Sequence, residues 1–468
     1  MLESPPYFFA PQGFQAHSML KRIAKTLGFK KKRKTSGPHI VPPGSHPIEP
    51  RDISRAASEV VSGLEEAGYK AYVVGGCVRD LMLGLKPKDF DVATDATPEQ
   101  AKAVFRRAQI IGRRFRIVHV RFGREVIEVT TFRAHHTSSP GNDKNLSRQS
   151  KEGMLLRDNV FGSIDEDASR RDFSINAMYY HPTDNTIYDY ADGLQDLEQK
   201  TLRIIGDAAT RYREDPVRML RAARFAAKLD FDLDDNTFAP IAECASLLGD
   251  ISSARLFDES LKLLMSGAAF ATYEQLCQLE LFAQLFPQTA RLIDDDFYQK
   301  LISQAMRNTD ARVNNHQRVT PAFIYAALLW PALVEQRKAY TAKGDSPLYA
   351  LQQAGSDVIQ QQIKRTAIPR RFTTMMKEIW DLQARLNKRN GQNAARLFTH
   401  PRFRAAYDFL LLREQAGEQT QGLGEWWTLY QEVDEDEREA MVAALPKQKS
   451  GNRKRRRPRR KPKADHAS

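Results

Sequence analysis

The sequence predicts an α+β fold, a mixed-sheet domain followed by a long all-α region, and three observations carry that expectation. Residues 70–83 read as a strand running through Gly75-Gly76 into a helix. Two β-branched runs flank a turn at Gly123, as a hairpin requires. Beyond Asp192 the strand signals stop, and from 215 to about 445 apolar residues recur at helical spacing without a repeat of fixed period.

In chain order, residues 1–52 hold a basic run and then Pro, Gly, Ser and His, which predicts an unstructured lead. Apolar spacing predicts a helix over 53–67, a strand over 70–74 and, after the two glycines, a helix over 78–83. A second strand is expected at 90–94 and a helix at 98–107, followed by strands at 116–122 and 126–132. Residues 136–150 are polar, which predicts a mobile loop inside a mixed domain that ends near 180.

With 468 residues, 41% hydrophobic and 28% charged, the chain has room for roughly two to four domains and is neither collagenous, membrane-like nor wholly disordered. Its three cysteines, Cys77, Cys244 and Cys277, form no CxxC pair, which excludes a disulfide framework or a zinc ribbon and predicts a reducing, cytoplasmic setting. No apolar run approaches the roughly 18 residues of a membrane span. The eight basic residues of 21–34 and the eleven of 447–463 together exceed the net charge of +13, so the rest of the chain is mildly acidic. The two basic runs are therefore expected to be flexible arms that hold a polyanion without reading its sequence.

Chemistry concentrates in a few runs. In GGCVRD at 75–80, two glycines let backbone approach a phosphate closely while Arg79 offers a charge-assisted donor, although most such turns are only turns. In KDFD at 88–91, Asp89 and Asp91 are two apart on an expected strand and share a face. Two ionised carboxylates so placed repel, and a divalent cation between them relieves this; oxygen ligands alone suit Mg2+. The competing reading is a solvated acidic turn. Glu128 is a lone acid in an apolar strand, either a third carboxylate for a metal or a group on the sheet's open face. Arg171 and Asp172 read either as a helix start with Asp172 as cap or as holders of phosphate and ribose. Arg218, Arg221 and Arg224 recur every three residues after Pro216, ordinarily a solvated helix face, while Asp215 with Arg218 also offers an acceptor and donor to a base edge.

In order, GGCVRD (75–80), LGLKPKDFDVAT (83–94), IEVTTFR (127–133), RRDFSINAM (170–178) and RYREDPVRMLRAARFAAKL (211–229) resemble the class II nucleotidyltransferases, which comprise the bacterial poly(A) polymerases and the tRNA CCA-adding enzymes. The resemblance implies a palm-like catalytic head at 53–180, a base-reading helical neck at 181–250, a helical RNA-binding body at 251–445 and an Arg/Lys-rich tail at 446–468. It implies Asp89 and Asp91 as the Mg2+-binding catalytic pair, and Gly75, Gly76 and Arg79 at the triphosphate of ATP. Arg171 and Asp172 would hold ribose and phosphates, Asp215 and Arg218 the base, and Arg221 and Arg224 phosphate. The third essential carboxylate stays open between Glu128 and Asp172.

Within the family, IGRRFRIVHVR at 111–121, ISSARLF at 251–257, PRFRAAY at 401–407 and the Arg-rich C-terminus resemble the poly(A) polymerase branch. The implied activity is template-independent transfer of AMP from ATP to RNA 3′ ends with release of pyrophosphate, promoting RNA decay. CCA addition to tRNA is the alternative within the family. A non-catalytic RNA-binding scaffold is the alternative outside it, opposed by the intact carboxylate pair, and a DNA-binding basic protein explains none of the acidic motifs. An RNA chaperone and the RNA decay machinery are the expected partners beyond RNA and ATP.

Overall fold

The structure, a computed structural model, describes residues 37–112, 116–134, 147–149 and 155–446. The two basic arms and most of the polar loop at 136–150 lie outside the described residues.

Eight strands form one mixed sheet: β1 (His39–Val41), β2 (Ala71–Val74), β3 (Asp91–Thr94), β4 (Ala108–Ile111), β5 (Ile117–Phe122), β6 (Glu125–Thr131), β9 (Met178–His181) and β10 (Thr186–Asp189). Their order across the sheet is β1-β10-β9-β2-β3-β6-β5-β4. Between them in the chain, β7 (Ser147–Gln149) and β8 (Leu155–Asp158) form a separate hairpin. Within the large sheet β3 and β6 run parallel, and the other neighbours are antiparallel.

The sheet is covered unequally. Val73, Val92, Val118, Val120, Ile127 and Val129 alternate with polar positions and bury against α1 (Arg55–Glu66) and α3 (Pro98–Val104). Ser54 caps α1 through the Ala57 N–H, and Thr97 with Gln100 forms a capping box for α3. The opposite face carries Asp91 and Glu128, which are direct partners across the β3–β6 ladder. Only part of that face is covered, where α4 (Ile164–Arg170) packs Ala168 with Val74, Ala93, Phe132 and Tyr179.

Several expected boundaries shift. The strand expected at 90–94 begins at Asp91, because its antiparallel partner β2 ends opposite it at Val74, leaving Asp89 nothing to pair with. The helix expected at 98–107 stops at Val104: Phe105 turns extended and sends its ring onto Gly63 of α1. Strand β1 lies inside the expected unstructured lead, and β10 lies beyond the expected end of the mixed domain at 180; each pairs with the other. The glycine turn opens α2 (Gly76–Met82) two residues earlier than expected.

Beyond the sheet, α5 (Ala208–Glu214) and α6 (Val217–Leu229) form a neck broken at Asp215-Pro216. Proline excludes the helical region for the residue before it, and Asp215 sits at φ −149°, ψ 93°. Two short strands, β11 (Thr201–Leu202) and β12 (Asp232–Leu233), add a parallel pair to a region expected to be helical throughout. The body follows as helices, among them α7 (Ser253–Leu264), α8 (Ala269–Gln278), α9 (Pro321–Ala342) and α10 (Pro347–Arg365). Both α7 and α8 pack on α6, and one apolar core runs unbroken from Val41 to Ala416. Head, neck and body are therefore held in one register, which fixes the side chains of the sheet against those of α6.

Candidate active site

The sheet places its acids at the end of β3. At Gly75, between β2 and α2, φ is +87°, a left-handed setting that disfavours any residue with a Cβ. A Cβ there would lie 3.5 Å from Arg171 Nη1 and 3.8 Å from Asp91 Oδ2, so the turn passes between a guanidinium and a carboxylate. Asp89 is exposed in the lead-in to β3, not on the strand as expected. Glu128 is half exposed, with its Oε1 3.3 Å from His119 Nε2. It thus points to the open face, as one of its two readings held.

Asp91 is perturbed by this company. Burial, then the charge of Glu128, and last that of Asp89 push its carboxyl up to about 6, while Arg171 opposes them. Two neighbouring acids thus oppose the ionisation of Asp91, which is the electrostatic demand a divalent cation satisfies. Among the described residues no three acid, His or Cys side chains close into a complete ligand set. The residues fit Mg2+ held by Asp89 and Asp91 with water and substrate oxygens completing the shell, the manner in which that ion is usually bound.

A second layer joins head to neck. Arg171 Nε donates to Tyr179 Oη at 2.9 Å and to Asp167 Oδ2 at 3.2 Å, and the Tyr179 hydroxyl donates to the same carboxylate at 2.6 Å. These bonds fix the guanidinium that faces Gly75 and Asp91. Next to it, Asp172 accepts from the Phe173 N–H at 2.8 Å, from Asn176 Nδ2 at 3.1 Å and from Arg221 Nε at 2.7 Å, with Arg221 Nη2 also in ion-pair contact. Burial works against its ionisation, but Arg221 and the other donors hold the carboxyl well below the usual range. Asp172 caps no helix: the following turn, Ser174–Asn176, has Phe173 at its cap position.

Arg79 is buried, bonded to Asp80 at 2.6 Å and to Asn176 Oδ1 at 2.8 Å. Its guanidinium lies 5.0 Å from the centre of the Phe225 ring, around which Arg221 at 5.4 Å and Arg224 at 4.8 Å also gather. Asp80 balances the first and Asp172 the second, whereas Arg224 has no ion-pair partner among the described residues. Burial, then repulsion from Arg221, pushes the Arg224 guanidinium down to about 10. The expected solvated face is instead a partly buried cationic cluster in which Arg224 alone has no ion-pair partner among the described residues.

At the neck break, Arg255 Nη2 from α7 holds Asp215 Oδ2 at 2.7 Å. Arg218 Nη1 donates to the Arg211 carbonyl at 2.7 Å and to Glu214 Oε2 at 2.9 Å. Arg211 in turn donates to the Arg171 carbonyl at 2.9 Å, tying the neck to the head. Sequence reasoning brought forward the site's acids and arginines but missed Arg255, Phe225, Asn176, Tyr179 and Asp167. Four of the five lie inside or beside quoted motifs, Arg255 among them in ISSARLF without a local reason to be singled out, and Asp167 lies just upstream of RRDFSINAM.

An acid-bearing mixed sheet fixed against an arginine-rich helical neck is a nucleotidyltransferase fold. A crystal structure of the Bacillus stearothermophilus CCA-adding enzyme in complex with CTP is similar to this chain at a TM-score of 0.51 and 24% identity, covering 83% of this chain and 82% of that one. Three family models match: "Poly A polymerase head domain" at 71–203, "Probable RNA and SrmB- binding site of polymerase A" at 230–293, and "Polymerase A arginine-rich C-terminus" at 343–461. Poly(A) polymerase I of Salmonella typhimurium is 48% identical over 432 residues, 91% of this chain and 93% of that protein. A CCA-adding enzyme of Limosilactobacillus fermentum is 41% identical over 212 residues, only 45% of this chain and 50% of that enzyme. The chain belongs to the poly(A) polymerase family.

Proposed function

We propose that the chain transfers AMP from ATP to RNA 3′ ends without a template, releasing pyrophosphate and marking RNA for decay. The observation that carries the reading is the acid cluster around Asp91 set across Gly75 from Arg171, with the cationic cluster at Phe225 held behind it by the Asp172–Arg221 pair. Long similarity to enzymes named poly(A) polymerase I, against half-length similarity to CCA-adding enzymes, supports polyadenylation over CCA addition.

Mg2+ bound at Asp89 and Asp91 would supply a lowered pKa for the attacking 3′-hydroxyl and neutralise charge on the pyrophosphate. The protein's part is positioning and charge. Gly75 and Gly76 keep the turn bare so that the triphosphate reaches the acids, with Arg171 at one flank. Arg224, cationic and without an ion-pair partner among the described residues, takes a phosphate, and Arg79 and Arg221 add field around it. Glu128 is the third acid beside the reacting atoms. Asp172, which accepts three hydrogen bonds and is ion-paired with Arg221, acts here as a positioning residue that holds Arg221.

The base reader has one setting. With Asp215 held by Arg255 and Arg218 braced by Glu214 and the Arg211 carbonyl, the pair cannot readily exchange donor and acceptor roles. A fixed reader suits repeated addition of one nucleotide. The test is extension of a labelled RNA with Mg2+ and each nucleoside triphosphate separately, on a generic 3′ end and on a tRNA lacking CCA, with Asp89→Ala as control. Long tails from ATP alone, absent in the variant, are expected. A requirement for CTP with arrest after three additions on tRNA would establish CCA synthesis instead, and RNA binding without extension would establish a scaffold.

A further inference from the structure

On the helix-covered side of the sheet, the first turn of α1, the end of α3 and the tip of the β5–β6 hairpin enclose an open groove of about 540 Å3. Arg106, Arg107 and Arg121 line it, exposed and without an ion-pair partner among the described residues. Arg55, also at the rim, is paired with Glu59 at 2.6 Å, and Glu125 is the remaining acid. The walls include the half-buried rings of Phe105 and Phe122. We propose that this groove holds single-stranded RNA upstream of the 3′ end being extended, an inference that rests on the RNA-polymerising reading above.

Two features choose this occupant. Arg106 and Arg107 beside the rings of Phe105 and Phe122, with Arg121 rooted on the other sheet face at the rim, all three without an ion-pair partner among the described residues, match a ligand that repeats phosphates and planar bases. The acids lie on the other face of the sheet, so RNA leaving them would reach the groove over the tip of the β5–β6 hairpin. Strand alternation puts Val126 on the same face as Glu128, and Val126 pairs across the hairpin with Arg121, which reaches the groove. Exposed Val126 and exposed Arg124 at the turn carry that path to the tip. From Glu128 to Gly123 is five residues of strand, about 17 Å at about 3.3 Å each. This span exceeds one nucleotide, so only RNA that continues upstream of the 3′-terminal nucleotide reaches the arginines.

The test compares wild type with the double variant Arg106→Glu/Arg107→Glu, both full-length, on a four-nucleotide and a twenty-nucleotide RNA. Binding is measured against salt without ATP, and extension with ATP. For the long RNA the variant is expected to raise KM by about tenfold and to flatten the slope of log affinity against log salt by about 1.4, the share of two single-strand phosphate contacts. The short RNA and the kcat for both are expected to stay at wild-type values, which also shows that the variant is folded. An unchanged long-RNA slope overturns the proposal, as does an equal loss on both lengths. Equal RNA binding with lost affinity for an acidic peptide overturns it in favour of a protein-docking groove. If wild type extends neither RNA, the polymerase reading fails, while the binding slopes still decide the groove.

Discussion

Asp91 at the sheet's end and Asp172 at the head–neck joint are the same residue type in one partly buried region, yet they are driven in opposite directions. Asp91 keeps company with Glu128 and Asp89 and is pushed up to about 6; Asp172 receives both Arg221 nitrogens and is held well below its usual range. The difference separates two uses of a buried acid. A carboxylate satisfied on every side fixes geometry, and one left among like charges waits for a cation. Their linkage to folding differs in sign as well. For Asp91 the folded pKa exceeds the usual 3.8, so its contribution is fully present below about pH 4 and is lost as pH rises to about 6. For Asp172 the folded pKa is depressed, so stability present above the unfolded value is lost as pH falls toward the folded one.

The largest expected effect removes the satisfied side of this comparison. Arg221→Ala leaves Asp172 partly buried and charged without its partner, which is expected to cost about 3–5 kcal/mol in denaturant melts at pH 7, the scale of a broken buried pair. The loss should shrink as pH falls and Asp172 protonates. A variant as stable as wild type would show that the pair is not the clamp between head and neck.

A smaller effect is expected at the base reader. Arg255→Ala frees Asp215 to accept from a base donor, so discrimination between ATP and CTP should fall by roughly tenfold, at the modest end of what one charged hydrogen bond contributes. Competitive extension with mixed triphosphates measures this; unchanged discrimination would leave Arg255 a structural contact only. Smaller still, Arg224→Ala should raise the KM for ATP several-fold through loss of one exposed-side charge contact, about 1 kcal/mol, with little change in melting temperature. A marked drop in melting temperature would instead mean that its stacking on Phe225 supports the fold.

Much of this was legible in the chain because the chemistry is local. The glycine turn, the KDFD pair and the strand bearing Glu128 each lie within a few consecutive residues, and alternation alone places Glu128 opposite the buried valines. What was not legible depends on partners far apart in sequence. Asp89 falls off the strand because β2 ends at Val74, and Arg255 matters only because α7 returns to the neck forty residues after Asp215. Arg221 and Arg224, two of the three arginines expected at a solvated or phosphate-binding face, converge with Arg79, from a helix more than a hundred residues away, on one ring. Strand β1 was missed for a different reason: it is an edge strand of three residues with one partner, too brief to show a period.

The most direct test of the contrast is Asp91→Asn, read by thermal melting and by ATP-dependent RNA extension, each with and without Mg2+. The variant removes a like charge that the fold holds at a cost, so without Mg2+ it should be more stable than wild type at pH 7, by up to about 3 kcal/mol for a shift from 3.8 to about 6. It should extend no RNA, and Mg2+ should raise the melting temperature of wild type but not of the variant. An Asp91→Asn protein that melts no higher than wild type without Mg2+, yet still extends RNA, would contradict the assignment of this acid cluster to the cation and to catalysis.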